Sequence, residues 1–264
     1  MVQELTSLLD QAWSVFHAHE RASYLVQPSV PILFFGHSER YFRSRPRVVT
    51  VGLNPSLKEF PAEAPWSRFP KAAFKDGPLD RTAYLSALNE YFVTKPYTPW
   101  FSSYEPLLNG MGACYGYDTQ LECVALHTDI CSVLATDPTW NDLEEEEKAE
   151  LEPEGAALWK SLITALKPDV VIASVAARHL DKIGELATWR VIYSIRDGRA
   201  QPFEVRVHDL DLNGHRALLV FGRAAQKPFG LVSTEDKRAI GEQITREFVQ
   251  STAGARPESS SPPS

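Results

Sequence analysis

The sequence predicts an α/β protein, a three-layer α/β/α sandwich around a central, mostly parallel sheet. Three observations carry this. RVVTVG (47–52), ECVALHTDI (122–130) and DVVIAS (169–174) are short apolar runs of the kind buried on both faces of a parallel sheet. Longer segments with apolar residues at helical spacing lie around them. Strands alternating with helices call for helices packed on both faces. A chain of 264 residues, 44% hydrophobic, can bury one good core, so residues 1–250 are expected to form a single domain.

Taken in order, residues 3 to 24 suit a helix through Leu5, Leu8, Leu9, Trp13 and Phe16. PILFFG (31–36) is a short strand or an apolar turn, and RVVTVG is the first buried strand. Residues 81–93 suit a helix, and KPYTPWFSSYEP (95–106) is an aromatic loop punctuated by proline. ECVALHTDI is the second strand, GAALWKSLITALK a helix closed by Lys167-Pro168, DVVIAS the third strand and VAARHLDKIGEL a helix after it. VRVHDLDL and HRALLVFG flank Asn213-Gly214, a strong hairpin turn, and form an antiparallel pair or a strand plus an edge element. The last helix runs from Ser233 to Phe248, with Asp236 three residues after Ser233 as in a capping box. The polar, proline-rich stretch 251–264 is expected to be a disordered tail.

The composition excludes several classes. No apolar run is long enough to span a bilayer, and the amphipathic N-terminus lacks a signal-peptide pattern, so a cytoplasmic protein without membrane contact is expected. Cys114, Cys123 and Cys131 form no CxxC pair and, even with His127, fit no common zinc spacing. They read as buried free thiols in a reducing compartment, and no metal or cofactor is expected. The net charge of −7 is concentrated between Asp142 and Glu154, which hold eight acids and one lysine; the rest of the chain is balanced. Such a run reads as a solvated helix face or loop. Basic clusters at 37–47 and in GRAAQK (222–227) can still meet phosphates.

Unusual polar residues follow the apolar runs: Asn54 in Gly52-Leu53-Asn54-Pro55-Ser56, His127 and Asp129, and the loop GRAAQKPFG (222–230). Asn54 and Pro55 suit a plain strand-to-helix turn. They also stand where open α/β sheets bind ligands, at the carboxyl end of a strand. This layout resembles the uracil-DNA glycosylase superfamily. Its mismatch-specific and single-strand-selective branches begin their first motif Gly-x-Asn-Pro-Gly, matched here at all but Ser56. The resemblance runs from Val48 to Phe248. Asp129 occupies the place of the family's base-recognising asparagine. Neither the histidine nor the Pro-Ser of the family's final motif is present in 222–230.

The resemblance implies a monomeric DNA glycosylase that takes one flipped nucleotide. Asn54 would hold the attacking water, with Gly52, Leu53, Pro55 and Ser56 shaping the pocket. Asp129, as a carboxylate, accepts only, which disfavours uracil's carbonyl edge and favours an exocyclic amine. The leading substrate is therefore a modified cytosine, hydroxymethylated or glucosylated as in phage DNA, since removing ordinary cytosine would be lethal. That role would make the protein an antiviral defence enzyme. The plain alternative is that Asp129 caps a helix N-terminus after the strand; its coincidence with the family's base contact favours the functional role. His127, two residues earlier, could orient Asp129 or shuttle a proton. Arg223, Gln226 and Lys227 are candidates for phosphate or leaving-group contact. Phe60 and Phe69 are candidates for stacking the base, as are Trp66, Tyr97, Trp100 and Phe101, although most such rings serve packing. Three alternatives remain open: a uracil or deaminated-base repair glycosylase, a catalytically silent nucleic-acid-binding member of the fold, and an unrelated nucleotide-binding protein.

Overall fold

Val48–Gly52 forms strand β1, buried at every position, because two adjacent valines and a third beyond Thr50 leave no polar face. In a computed structural model, which describes residues 2–73, 80–116, 120–198 and 200–253, β1 lies inside a six-stranded sheet. The other strands are β2 (Ala113–Cys114), β3 (Cys123–Val124), β4 (Leu126–Asp129), β5 (Val170–Ala173), β6 (Arg190–Ile195), β7 (Phe203–Leu212) and β8 (His215–Gly222). The sheet order is β4-β1-β5-β8-β7-β6, and β2 and β3 form a separate parallel pair. The first four strands of the sheet are parallel, while β7 and β6 extend it antiparallel.

The helices are α1 (Val2–His19), α2 (Ser38–Arg43), α3 (Arg81–Asn89), α4 (Tyr91–Thr94), α5 (Thr98–Phe101), α6 (Glu105–Gly110), α7 (Glu145–Leu166) and α8 (Thr234–Ala253). The chain moves from β1 outward to β4, then back across β1 to β5. Right-handed crossovers in opposite directions put α3–α6 on one face and α7 on the other. Accordingly α8 packs on α6, and α1 packs on α7. The result is the expected three-layer α/β/α sandwich. Its topological switch point lies between β1 and β5, whose outgoing connections run to opposite sides.

Several boundaries differ from the sequence reading. The expected second strand is split into β3 and β4, and PILFFG contributes only one bridge, Phe35 to His127. The helix expected over 175–186 is a 3₁₀ segment, Ala177–Lys182. β6 has no counterpart among the expected strands. The acidic run forms the start of α7, where Glu144 and Glu147 make a capping box and Pro153 is accommodated within the helix. α8 continues through Ala253, so 251–253 are helical and not tail; the rest of the expected tail, 254–264, lies outside the described residues. Cys114 and Cys131 are buried, and Cys123 is half-buried. Among the described residues no helix is long and apolar enough to cross a membrane.

Candidate functional site

The carboxyl ends of β1 and β4 carry a cavity of about 310 Å³. This is near the lower end for small-molecule sites and admits a small ring system. Leu53, Asn54, Pro55, Ser56, Lys58 and Glu59 form one side, and His127 and Asp129 lie at the end of β4. Phe35, Tyr97, Trp100, Phe101 and Trp140 supply rings, and Thr139, Asn141 and Gln226 complete the wall.

Parallel register explains how the motif and the strand end meet. Gly52 pairs with Asp129 and Thr50 with His127, so the two polar side chains of β4 project on the same side, two residues apart. Beyond the strands the connection is stitched by backbone bonds: Ile130 N to Gly52 O (3.1 Å), Cys131 N to Leu53 O (2.8 Å), Thr136 N to Pro55 O (3.2 Å) and Leu57 N to Thr136 O (3.2 Å). The close passage of α7 depends on Gly155, where a Cβ would run into Cys131 O.

Asn54 is fixed by its amide nitrogen. Nδ2 donates to Leu134 O (3.2 Å) and Thr136 Oγ1 (2.8 Å), while no described residue donates to Oδ1. The amide is thus held with an unused acceptor on the cavity wall.

Asp129 is only 5% exposed, yet no described residue donates a hydrogen bond to its carboxylate. The ring nitrogen His127 Nε2 lies 3.6 Å from its Oδ1. His127, 2% exposed, has Nδ1 2.8 Å from Thr50 Oγ1, which itself lies 2.5 Å from Tyr115 OH. This contact fixes the ring with Nε2 as the nitrogen that faces Asp129. Buried charges are ordinarily satisfied by hydrogen bonds, so a carboxylate left this way is arranged for a donor arriving from the cavity.

No model of a known protein family matches the chain, and no curated protein matches it.

Sequence reasoning missed Glu59, a buried acid on the same wall, and the rings Phe35 and Trp140. It also named residues that the structure places elsewhere. Phe60 and Phe69 are buried, stacked on each other with centroids 5.3 Å apart, and belong to the core and not to the wall. Trp66 packs edge-on against Phe60. Arg223 lies in a separate pocket with Glu204, Arg206, Phe221 and Leu231. Of the three candidates in the last loop, Gln226 reaches the cavity, in a left-handed conformation (φ 60°); Lys227 is exposed beside it. The loop is pinned from behind by Lys237 Nζ, which donates to Ser103 O (3.0 Å) and Oγ (2.8 Å), and by Ser103 Oγ, which donates to Pro228 O. Arg47, in the basic cluster 37–47, precedes β1 at the opposite end of the sheet and is ion-paired with Asp169 at 3.1 Å.

Two other chemistries fit poorly. Cys131 Sγ lies 3.9 Å from His179 Nδ1, but burial raises the thiol and lowers the imidazole, to about 4, so both stay neutral and no thiolate forms. Among the described residues no cluster of three or more His, Cys, Asp or Glu side chains is arranged to hold a metal ion.

Gly52 offers a direct test of the packing. A Cβ there would sit 2.9 Å from His127 Nε2 and closer still to Asp129 Oδ1. Gly52→Ala is expected to cost about 1–3 kcal/mol by overpacking and to displace both polar groups. Urea denaturation measures the first effect; an unchanged midpoint would mean that the pair has room to move.

Proposed function

We propose that this chain is a DNA glycosylase that accepts one extruded pyrimidine in the cavity and hydrolyses its N-glycosidic bond, leaving an abasic site. The observation that carries the reading is the buried Asp129 carboxylate without a hydrogen-bond donor, beside an asparagine whose acceptor oxygen is also unused. An exocyclic amine satisfies the first, and a water molecule the second. A carboxylate repels the carbonyl oxygens of uracil and accepts from the amine of cytosine, so the proposed base is a modified cytosine. Hydroxymethylated or glucosylated cytosine in phage DNA is the leading form, with defence against phage as the role.

The surroundings agree with a nucleotide ligand. Tyr97, Trp100 and Phe101 present aromatic surface for a stacked base. Lys58 stands on the wall, Lys227 is exposed on the neighbouring loop, and Arg178 holds the wall residue Asn141 through a 3.0 Å hydrogen bond. These cations suit the phosphates flanking the extruded base.

The test is a paired time course on oligonucleotides carrying uracil, cytosine, hydroxymethylcytosine or its glucosylated form, with abasic sites read by alkaline cleavage. Release of a modified cytosine with uracil left intact is expected. Efficient uracil release with every cytosine derivative ignored would replace this reading by uracil repair, and DNA binding with no release would leave a silent binder.

A further inference from the structure

Glu59 is the second buried carboxyl group of the cavity, and the steps above give it no part. It is 5% exposed. Oε2 accepts a 2.5 Å hydrogen bond from Tyr91 OH, which in turn accepts one from Tyr97 N at 2.9 Å. Oε1 receives no hydrogen bond from any described residue. Arg68 comes no nearer than 4.0 Å, because its guanidinium is committed to Lys58 O (Nε, 2.9 Å) and Lys95 O (Nη1, 2.6 Å).

Tyr91 faces the carboxyl from α4, Arg68 from the preceding loop, Asp129 from β4 with His127 beside it, and Lys58 adjoins it in the chain. Burial dominates and pushes Glu59 up to about 7; the Tyr91 bond and Arg68 oppose the rise, and the charge of Asp129 adds to it. Glu59 is thereby able to hold a proton near neutrality on the wall of a small cavity.

We propose that Glu59 is the catalytic acid of this site, giving its carboxyl proton from the unpartnered oxygen to the base as the base departs. The proposal rests on the glycosylase reading. As the bond between the sugar C1′ and the base nitrogen breaks, its electron pair goes to the base, and the Glu59 proton passes to an acceptor atom of the ring. Water held by Asn54 adds to C1′ and loses a proton to solvent, from which Glu59 recovers its own. The sum is hydrolysis, with no other reactant. Cytosine, a poorer leaving group than uracil, gains most from such a proton.

The role is tested by single-turnover base release between about pH 5 and about pH 9, on the oligonucleotide that the wild type cleaves best. The wild-type rate is expected to fall as pH rises through about 7. Glu59→Gln should be about 100-fold slower at acid pH and lose that inflection. Tyr91→Phe should remain active with its inflection moved to higher pH, since the lost hydrogen bond favoured the ionised carboxyl.

Urea denaturation supplies a readout that needs no substrate. A carboxyl whose folded value lies above its unfolded value contributes stability fully present below the unfolded value and lost as pH rises through the folded one. Wild type should therefore lose stability relative to Glu59→Gln between about 4.5 and about 7. A stability difference that is flat across this window overturns the buried acid. Glu59→Gln with the wild-type rate and profile overturns the catalytic role alone and leaves the glycosylase reading intact. Wild type that releases no base from any pyrimidine oligonucleotide overturns the glycosylase reading and, with it, this role.

Discussion

Asn54→Ala is expected to slow single-turnover base release by about 100-fold or more while leaving DNA affinity nearly unchanged. The separation follows from what the amide does. Nδ2 is committed to Leu134 O and Thr136 Oγ1, so the group offers the cavity an acceptor and little else. An amide is too weak a base to take a proton, but it can hold a water molecule in line with the sugar, which acts in the chemical step and not in binding. Alanine also removes the donor to Leu134 O and Thr136 Oγ1, at a cost of about 1–3 kcal/mol. A domain with a stability of about 5–15 kcal/mol survives that loss. Rates are therefore compared on protein shown to be folded by its urea midpoint, with affinity followed by fluorescence anisotropy. A rate within a few-fold of the parent would return Asn54 to the role of a turn cap.

Asp129→Asn is expected to change what the pocket accepts. A mismatched polar pair at a base edge costs about 1–3 kcal/mol, and each 1.4 kcal/mol is about tenfold in rate. Release of the modified cytosine should fall about 10- to 100-fold. Uracil release should rise above the parent's, because an amide again offers both a donor and an acceptor to an imide. Stability should move the other way: the variant removes a buried charge that no described residue hydrogen-bonds, so the neutral-pH urea midpoint should hold or rise. Loss of activity with a gain in stability is the pattern of a group placed for a ligand. If parent and variant treat all four oligonucleotides alike, Asp129 reads no base.

The parts of the fold legible in the sequence were those in which composition alone determines burial. Val48, Val49 and Val51, or Val170, Val171 and Ile172, can only be interior strand, and Asn213-Gly214 forms the turn it announced, both residues with positive φ. The site was legible where chain order forces proximity: Asn54 follows β1, Asp129 ends β4, and those strands are parallel neighbours. Glu59 was not legible. It stands in the polar-looking run Ser-Leu-Lys-Glu, and only Tyr91, thirty-two residues later, and Arg68 reveal that it is buried. Phe60 and Phe69 misled for the converse reason, since an aromatic residue near a motif carries no mark of whether it faces the cavity or the core. β6 escaped notice because an edge strand with exposed Arg190 and Val191 lacks the continuous apolar signal of the interior strands.

The hydrogen bonds that stitch 52–57 to 130–136 divide the cavity into halves with different freedom to change. Asn54 and Asp129 belong to one welded unit, in which a substitution that shifts either disturbs both. The facing surface is assembled from unrelated stretches of chain: Tyr97, Trp100 and Phe101 from one, Thr139, Trp140 and Asn141 from another, and Gln226 from a third. Each can vary without moving the register that joins β1 to β4. Natural divergence or design could therefore reshape the aromatic wall, with Trp100 and Gln226 as the first positions to vary, without disturbing the polar pair at the strand ends.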